Sequence, residues 1–363
     1  MEEARILLRL ALGASALALA ATAFAATDPF EDPLDVPARA VRRQLLSTQM
    51  HAVTRAGARL VAVGVRGLLL VSDDEGRQWK QVSVPVASDL LAVHFPTARD
   101  GWAVGHDGVV LRTQDGGNTW GKQLDGRIAK QMLTVHFQAL AASGDAQARR
   151  HLEDTEINYA GGPEQSLLGV WFKDALSGFV CGSFGTLLAT DDGGMTWKSW
   201  IEKVDADRPL HLNAIRGTRE GVLIASEKGI VFRLDPDKQR FVAMPTGYAG
   251  TFFRLLEAGD SVLAAGLRGT VYRLKSGGAS WEKVETGVTS TITAAMSLPD
   301  GSALLGTVAG QLLATRDGER FRQIPVALPM PFTGIAPASP DEVVVVGMRG
   351  VRKIPFKVQG QQP

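Results

Sequence analysis

Cysteine is nearly absent. Cys181 is the single one in 363 residues, so an internal disulfide is excluded. It sits in the apolar run Gly178–Cys181 and is expected to be a buried small hydrophobe. Excess charge is absent too: 39 basic and 38 acidic residues leave a formal charge of +1. That excludes a bulk electrostatic pull toward nucleic acid or an anionic membrane. A long apolar run is also missing. Leu10–Ala21 is too short and too rich in alanine for a stable membrane span. No metal-ligand spacing, Ser-His-Asp arrangement or phosphate loop is visible. His94 and His136 lie on apolar segments and read as satisfied core or interface residues rather than ligands.

What the chain has is repetition. Thr113-Gln114-Asp115-Gly116-Gly117-Asn118-Thr119-Trp120 returns as Thr190-Asp191-Asp192-Gly193-Gly194-Met195-Thr196-Trp197. A looser copy is Ser72-Asp73-Asp74-Glu75-Gly76-Arg77-Gln78-Trp79. Each follows an apolar run and reads as strand, tight turn, strand. The carboxylate and hydroxyl can hydrogen-bond backbone N–H groups in the turn, glycine takes the positive φ, and tryptophan folds beneath. Burying one such ring removes roughly 150–250 Å² from water, on the order of 4–6 kcal/mol gross. Asp74, Gly76 and Trp79, then Asp115, Gly117 and Trp120, then Asp192, Gly194 and Trp197, therefore read as structural staples. Later copies decay: Ser276–Trp281 loses the Asp, Thr315–Phe321 is one residue short, and Asp235–Phe241 keeps only an aromatic.

A second repeat has a longer reach. Turns of Gly-x-x-Gly type, with Ser or Thr opening two of them, close at glycines 67, 108, 185, 229, 269, 310 and 350. The spacings are 41, 77, 44, 40, 41 and 40, where 77 is one repeat plus about 36 inserted residues. Seven repeats of this length predict an all-β, seven-bladed β-propeller with four-stranded blades. The insertion, about residues 125–164, falls between blades two and three. Ile128, Met132, Val135 and Leu140 approximate helical spacing, and the stretch reads as one or two helices. It serves either as a partner contact or as a passive cap.

Domain limits follow. Residues 1–25 read as a cleavable signal, with Arg5 and Arg9, the apolar run, and Ala23-Phe24-Ala25 before the cut. The expected location is periplasmic or otherwise extracytoplasmic. Residues 26–47 read as a linker, 48–358 as the propeller and 359–363 as a tail. The last repeat lacks a fourth strand, which a segment before residue 48 is expected to supply.

The topology puts every Gly-x-x-Gly turn on one face and the Asp-bearing turns on the other. Arg66, Arg268, Arg349, Lys228 and His106 occupy the first set of turns and are the candidate partner-binding residues. Three arginines at one repeat position make a basic arc suited to carboxylates or phosphates.

The octapeptide resembles the Asp-box, or bacterial neuraminidase repeat, of sialidases and of many non-enzymatic propellers. A sialidase-like reading calls for an arginine triad, a tyrosine nucleophile with a Glu partner and an Asp acid/base. The chain has only Tyr159, Tyr248 and Tyr272, and lacks the Arg-Ile-Pro signature. The longer strings Gly101–Trp120 and Gly178–Trp197 resemble the photosystem II stability/assembly factor family and its bacterial relatives over about residues 50–356. That resemblance implies an exported, non-enzymatic propeller without cofactor, whose arginine face binds a membrane-protein partner and assists its assembly, stability or transport. Bacterial relatives imply envelope complexes, including exporters of the resistance–nodulation–division type. The insertion and the turns Ser183-Phe184 and Val308-Ala309 depart from the photosynthetic pattern. An exported glycoside hydrolase is the alternative, and a carbohydrate-binding propeller a weaker third.

Overall fold

A computed structural model describes residues 31–41 and 43–356. The signal segment, Arg42 and the 359–363 tail lie outside the described residues. Seven antiparallel sheets follow one another along the chain: six have four strands and the last has three. The innermost strands are Met50–Ala56, Leu90–His94, Leu167–Phe172, Leu212–Thr218, Phe252–Ala258, Ile292–Ser297 and Phe332–Ser339. Each contacts the next, and the seventh contacts the first, so the ring closes.

The burial pattern explains why the strands are apolar runs rather than alternations. The second strands Gly101–Gly105 and Ser261–Gly266 are buried throughout, because neighbouring blades cover both faces. The outermost strand Lys80–Val82 is mostly polar and nowhere fully buried. A register shift recurs near the start of the innermost strands, as between Met50 and Ala52 or Phe252 and Arg254. The residue before the shift is an anchor: Met50, Leu90, Leu212, Phe252, Ile292 and Phe332 are all fully buried. Trp102 of blade two stacks on Phe172 of blade three with ring centroids 3.5 Å apart. Cys181 is buried, and burial pushes its thiol pKa up.

The insertion is helical, as the spacing implied, and lies between the second and third blades in chain order. Its helices are Gly126–Ala142 and Ala146–Asn158, each capped by an aspartate: Asp125 accepts from the N–H groups of Arg127 and Ile128, Asp145 from those of Gln147 and Ala148. The buried face differs from the expected stripe. Ala129, Leu133 and Phe137 pack on the propeller beside Trp102 and Phe172. Ile128 and Val135 stay exposed, at 49% and 60%, and Met132 and Leu140 are half-buried. The first helix is apolar on more than one side, so a spacing argument could not tell which side docks.

The seventh blade corrects a second expectation. No fourth strand joins Gly350–Pro355 among the described residues. Leu45–Ser47 instead forms a 3₁₀ turn packed against that strand. The carbonyl of Leu46 lies so close that a Cβ on Gly350 would meet it at 1.9 Å. The segment expected to be a linker is also placed. Ala38 N–H donates to Val84 O, Ala87 N–H donates to Pro33 O, and Leu34 is buried in the cluster of blades one and two.

The Asp-boxes act as staples. In blade three, Asp192 Oδ1 accepts from Thr196 N–H at 2.9 Å and Oδ2 from Thr196 Oγ1 at 2.6 Å, while Thr190 Oγ1 accepts from Gly194 N–H at 2.8 Å. Asp115 in blade two makes both bonds with Thr119, while Asp74 in blade one, facing Gln78 in that place, makes only the one from the N–H. Trp120 and Trp197 are buried beneath their turns, and Trp79 is partly so, its indole N–H donating to Gly76 O. The decayed boxes keep part of the device. Asp317 reaches Glu319 N–H and Arg320 N–H, and Asp235 reaches Asp237 N–H and Lys238 N–H, one residue sooner than in a full box.

Hydrogen bonds from the Thr196 hydroxyl and N–H hold the Asp192 pKa down at about 2. For Asp115 burial opposes ionisation, but bonds from Thr119, Thr113 and Asn118 outweigh it and give about 2 as well. An unfolded Asp titrates near 3.9, so this stabilisation is present above about pH 4 and is lost as pH falls toward 2. Asp192→Ala is expected to cost about 1–2 kcal/mol at pH 7. In thermal denaturation, the gap to wild type should close between about pH 4 and 2; a gap independent of pH would contradict the staple.

Candidate functional site: the Gly-x-x-Gly face

The tips of the second and third strands adopt a demanding geometry. Arg66 has φ 52° and ψ 42°, and Gly67 follows with φ 68°. Two successive left-handed residues make the type I′ turn that suits a twisted hairpin. The first left-handed position is usually Asn, Asp or Gly, yet here it is Arg66, Phe184, Lys228 and Arg268, with Asp107 in blade two. The opening glycines answer a different need. Gly105 and Gly266 are extended, but a Cβ on either would lie 1.9 Å from the carbonyl of Asp89 or Thr251. Where Ser226 opens the turn, its hydroxyl donates to His211 O at 2.9 Å.

These turns share a face with the blade-to-blade connections. A Cβ on Gly67, Gly229 or Gly269 would meet the carbonyl of Val86, Tyr248 or Val288, all in those connections. The helical pair rises from the same face: a Cβ on Gly108 would meet Gly126, the first residue of the first helix.

Arg66, Lys228, Arg268 and Arg349 are exposed, and their side chains make no hydrogen bond or ion pair with the described residues. Other cations differ. Arg59 pairs with Asp73 at 2.6 Å, Arg127 with Asp35 at 2.7 Å and Arg219 with Glu257 at 3.0 Å. His106 stands apart from the four. It occupies the second turn position, not the third, and its Nδ1 lies 2.7 Å from Ser166 Oγ. Exposed apolar side chains interleave with the cations. Phe184, Val308 and Met348 sit on turns, and Leu328 lies on the connection into blade seven. The interruptions seen in the sequence are thus part of a mixed basic and apolar surface.

The two histidines are satisfied. His94 Nε2 lies 3.0 Å from Phe172 O, and burial holds its pKa down at about 4. His136 Nε2 is 3.2 Å from Glu202 Oε1. Among the described residues no cluster of His, Cys, Asp and Glu could hold a metal ion. No helix among them is long and apolar enough to cross a membrane.

The tyrosines do not converge. Tyr159 is buried in the helical insertion, and burial pushes its pKa up to about 12. Tyr248 donates its hydroxyl to Leu267 O, and Tyr272 stacks on Tyr248. The axial channel, about 460 Å³, is lined by no tyrosine or carboxylate among the described residues. It does carry Arg55, Arg216 and Arg254, which the sequence reading missed. The available signal was arginine inside an innermost strand, as in Leu212-Asn213-Ala214-Ile215-Arg216.

A family model described as "Photosynthesis system II assembly factor YCF48" matches residues 71–147. The chain is similar to the photosystem II stability/assembly factor family. A curated relative, "Photosystem II stability/assembly factor HCF136, chloroplastic" of Cyanidioschyzon merolae (strain NIES-3377 / 10D), is 27% identical over 260 residues. That match covers 66% of this chain and 56% of the relative. The protein of the same name from Guillardia theta is 36% identical over 69 residues, 18% of each chain. The matches thus span about half, or less, of these relatives' lengths. Among solved structures, "YCF48 bound to D1 peptide" has a TM-score of 0.62 and 17% identity, covering 86% of this chain and 94% of that one. A streptogramin B lyase structure has a TM-score of 0.63 at 9% identity, covering 85% and 93%. At such identities the likeness shows the fold alone, and an assembly factor and a lyase both carry it.

The left-handed tips allow a direct check. Asn tolerates this conformation better than Arg, so Arg268→Asn should stabilise the protein by about 0.5–1 kcal/mol. Arg349→Asn should give no gain, since Arg349 is not left-handed. Equal shifts in melting temperature would remove strain as the difference between the two turns.

Proposed function

We propose that this chain is an exported, non-catalytic propeller that holds a segment of a membrane protein on its Gly-x-x-Gly face and assists that protein's assembly, stability or transport. The observation carrying this reading is the group of four exposed, unpaired cations on that face, three of them held on strained turns. Backbone strain retained at exposed positions marks function more often than stability. The interleaved Phe184, Val308 and Met348 suit a segment with both acidic and apolar side chains. The helical pair starts at this surface, with Gly126 beside Gly108, and carries the exposed Ile128 and Val135.

Similarity to the assembly-factor family supports the class of partner, since one such protein has been solved with a D1 peptide. Location outside the cytoplasm rests on the N-terminal segment. For an envelope client, a resistance–nodulation–division exporter follows from the resemblance to bacterial relatives alone.

The test is a pull-down from envelope fractions with wild type and a variant carrying Arg66→Ala, Arg268→Ala and Arg349→Ala. The triple variant should recover at least tenfold less partner. A control on the opposite face, Met195→Ala with Lys198→Ala, should recover as much as wild type. Equal recovery by the triple variant contradicts the arginine face, and finding the chain only in the cytosol contradicts export.

A further inference from the structure

None of the Gly-x-x-Gly turn residues lines the axial channel, yet its wall is unusual in charge. Arg55, Arg216, Arg254 and His94 line it, and among the described residues no aspartate or glutamate does. Arg55 is held by carbonyls: Nε and Nη2 donate to Gly57 O and Ala58 O, and Nη1 to Pro337 O and Ala338 O. Arg254 donates to Phe253 O at 2.9 Å and Thr333 O at 3.1 Å. The side chain of Arg216 makes no hydrogen bond with the described residues. The carboxylate whose field it feels, Glu257, is held by the N–H and Nε of Arg219, both at 3.0 Å.

Carbonyl dipoles satisfy hydrogen bonds but do not neutralise charge. Burial lowers the pKa of Arg216 although the field of Glu257 opposes the shift, and it takes that of Arg254 down to about 10 with no opposing charge. Both remain charged at neutral pH. His94 is neutral there and adds nothing. A guanidinium binds two oxygens of a carboxylate or phosphate through parallel N–H groups. Beside the arginines, Trp171, Leu255 and Met296 offer apolar wall for a carbon skeleton.

We propose that the axial channel is a binding site for a small solute bearing a carboxylate or phosphate group, seated on Arg216 and Arg254. It is separate from the docking face and does not depend on the identity of the partner.

Calorimetric titration and thermal melts with inorganic phosphate and with citrate test this, in buffer otherwise free of oxyanions and against NaCl of equal ionic strength. Saturable binding of either probe, with a raised melting temperature, is expected. Arg216→Gln should weaken it at least tenfold, and Arg254→Lys, which keeps the charge but loses the fork, should weaken it as well. Arg268→Gln on the turn face should bind like wild type, which separates failure here from failure of docking. Without oxyanion, Arg216→Gln should melt no lower than wild type, because it removes a charge that burial penalises and no side-chain hydrogen bond holds. Binding of phosphate alone or citrate alone upholds the site and names the headgroup. No saturable binding of either, equal binding by Arg216→Gln, the same stabilisation by NaCl, or a lower melting temperature of Arg216→Gln without oxyanion would each overturn it.

Discussion

The fold depends on closing a ring without a shared strand among the described residues. Blade seven stops at three strands, so blade one must meet it by packing and a few bonds. Met50, Leu60, Ala62 and Leu70 from the first blade form one buried cluster with Ala336, Val344, Val346 and Val351 from the last. Thr333 Oγ1 donates to Met50 O at 2.9 Å, and Arg55 reaches Pro337 O and Ala338 O across the seam. The turn Leu45–Ser47 covers the outer side, with Leu45 and Val41 against the cluster. Apolar area buried at the seam therefore takes the place of strand pairing. Every other blade borrows both walls from its neighbours, so the channel and the two faces exist only while this junction holds.

Closure sorts the loops into two populations with different duties. On one face, Asp-boxes tie each turn to itself: carboxylate to N–H, hydroxyl to N–H, indole underneath. Their ionised side chains are spent on local bonds. On the other face, four tips carry cations with no side-chain partner among the described residues, and Arg66, Lys228 and Arg268 hold a backbone conformation that a shorter polar residue would adopt more easily. The helical pair rises beside these tips from Asp125 and buries Leu133 and Phe137 on the propeller. One side of it completes the core, and another leaves Ile128 and Val135 exposed.

Much of this was legible in the sequence because propellers repeat. Closing glycines must be left-handed, opening glycines must let a carbonyl pass, and Asp-boxes must bond locally. Each rule acts at fixed spacing, so seven blades and two opposed faces follow from the text of the chain. What escaped depends on neighbours distant in sequence. Ile128 and Val135 have the right period to be core, but Ala129, Leu133 and Phe137 dock because Trp102 and Phe172 shape the surface they meet. The missing fourth strand was inferred from the other six blades, whereas the seam is held by Thr333, Arg55 and the covering turn. Arg216 and Arg254 read as unremarkable strand residues until the ring brings their strands around one channel. Phe184 and Val308 read as gaps in a basic arc until their exposure places them within a mixed surface.

The central claim is that the Gly-x-x-Gly face, not the Asp-box face, meets the partner. Site-specific photo-crosslinking in intact envelopes tests it most directly, with a photoreactive residue at position 184 on one face and at position 195 on the other. Both native side chains are exposed, so neither substitution disturbs the core. The account predicts a discrete crosslinked partner from position 184 and none from position 195; the reverse result, or the same partner from both, would contradict it.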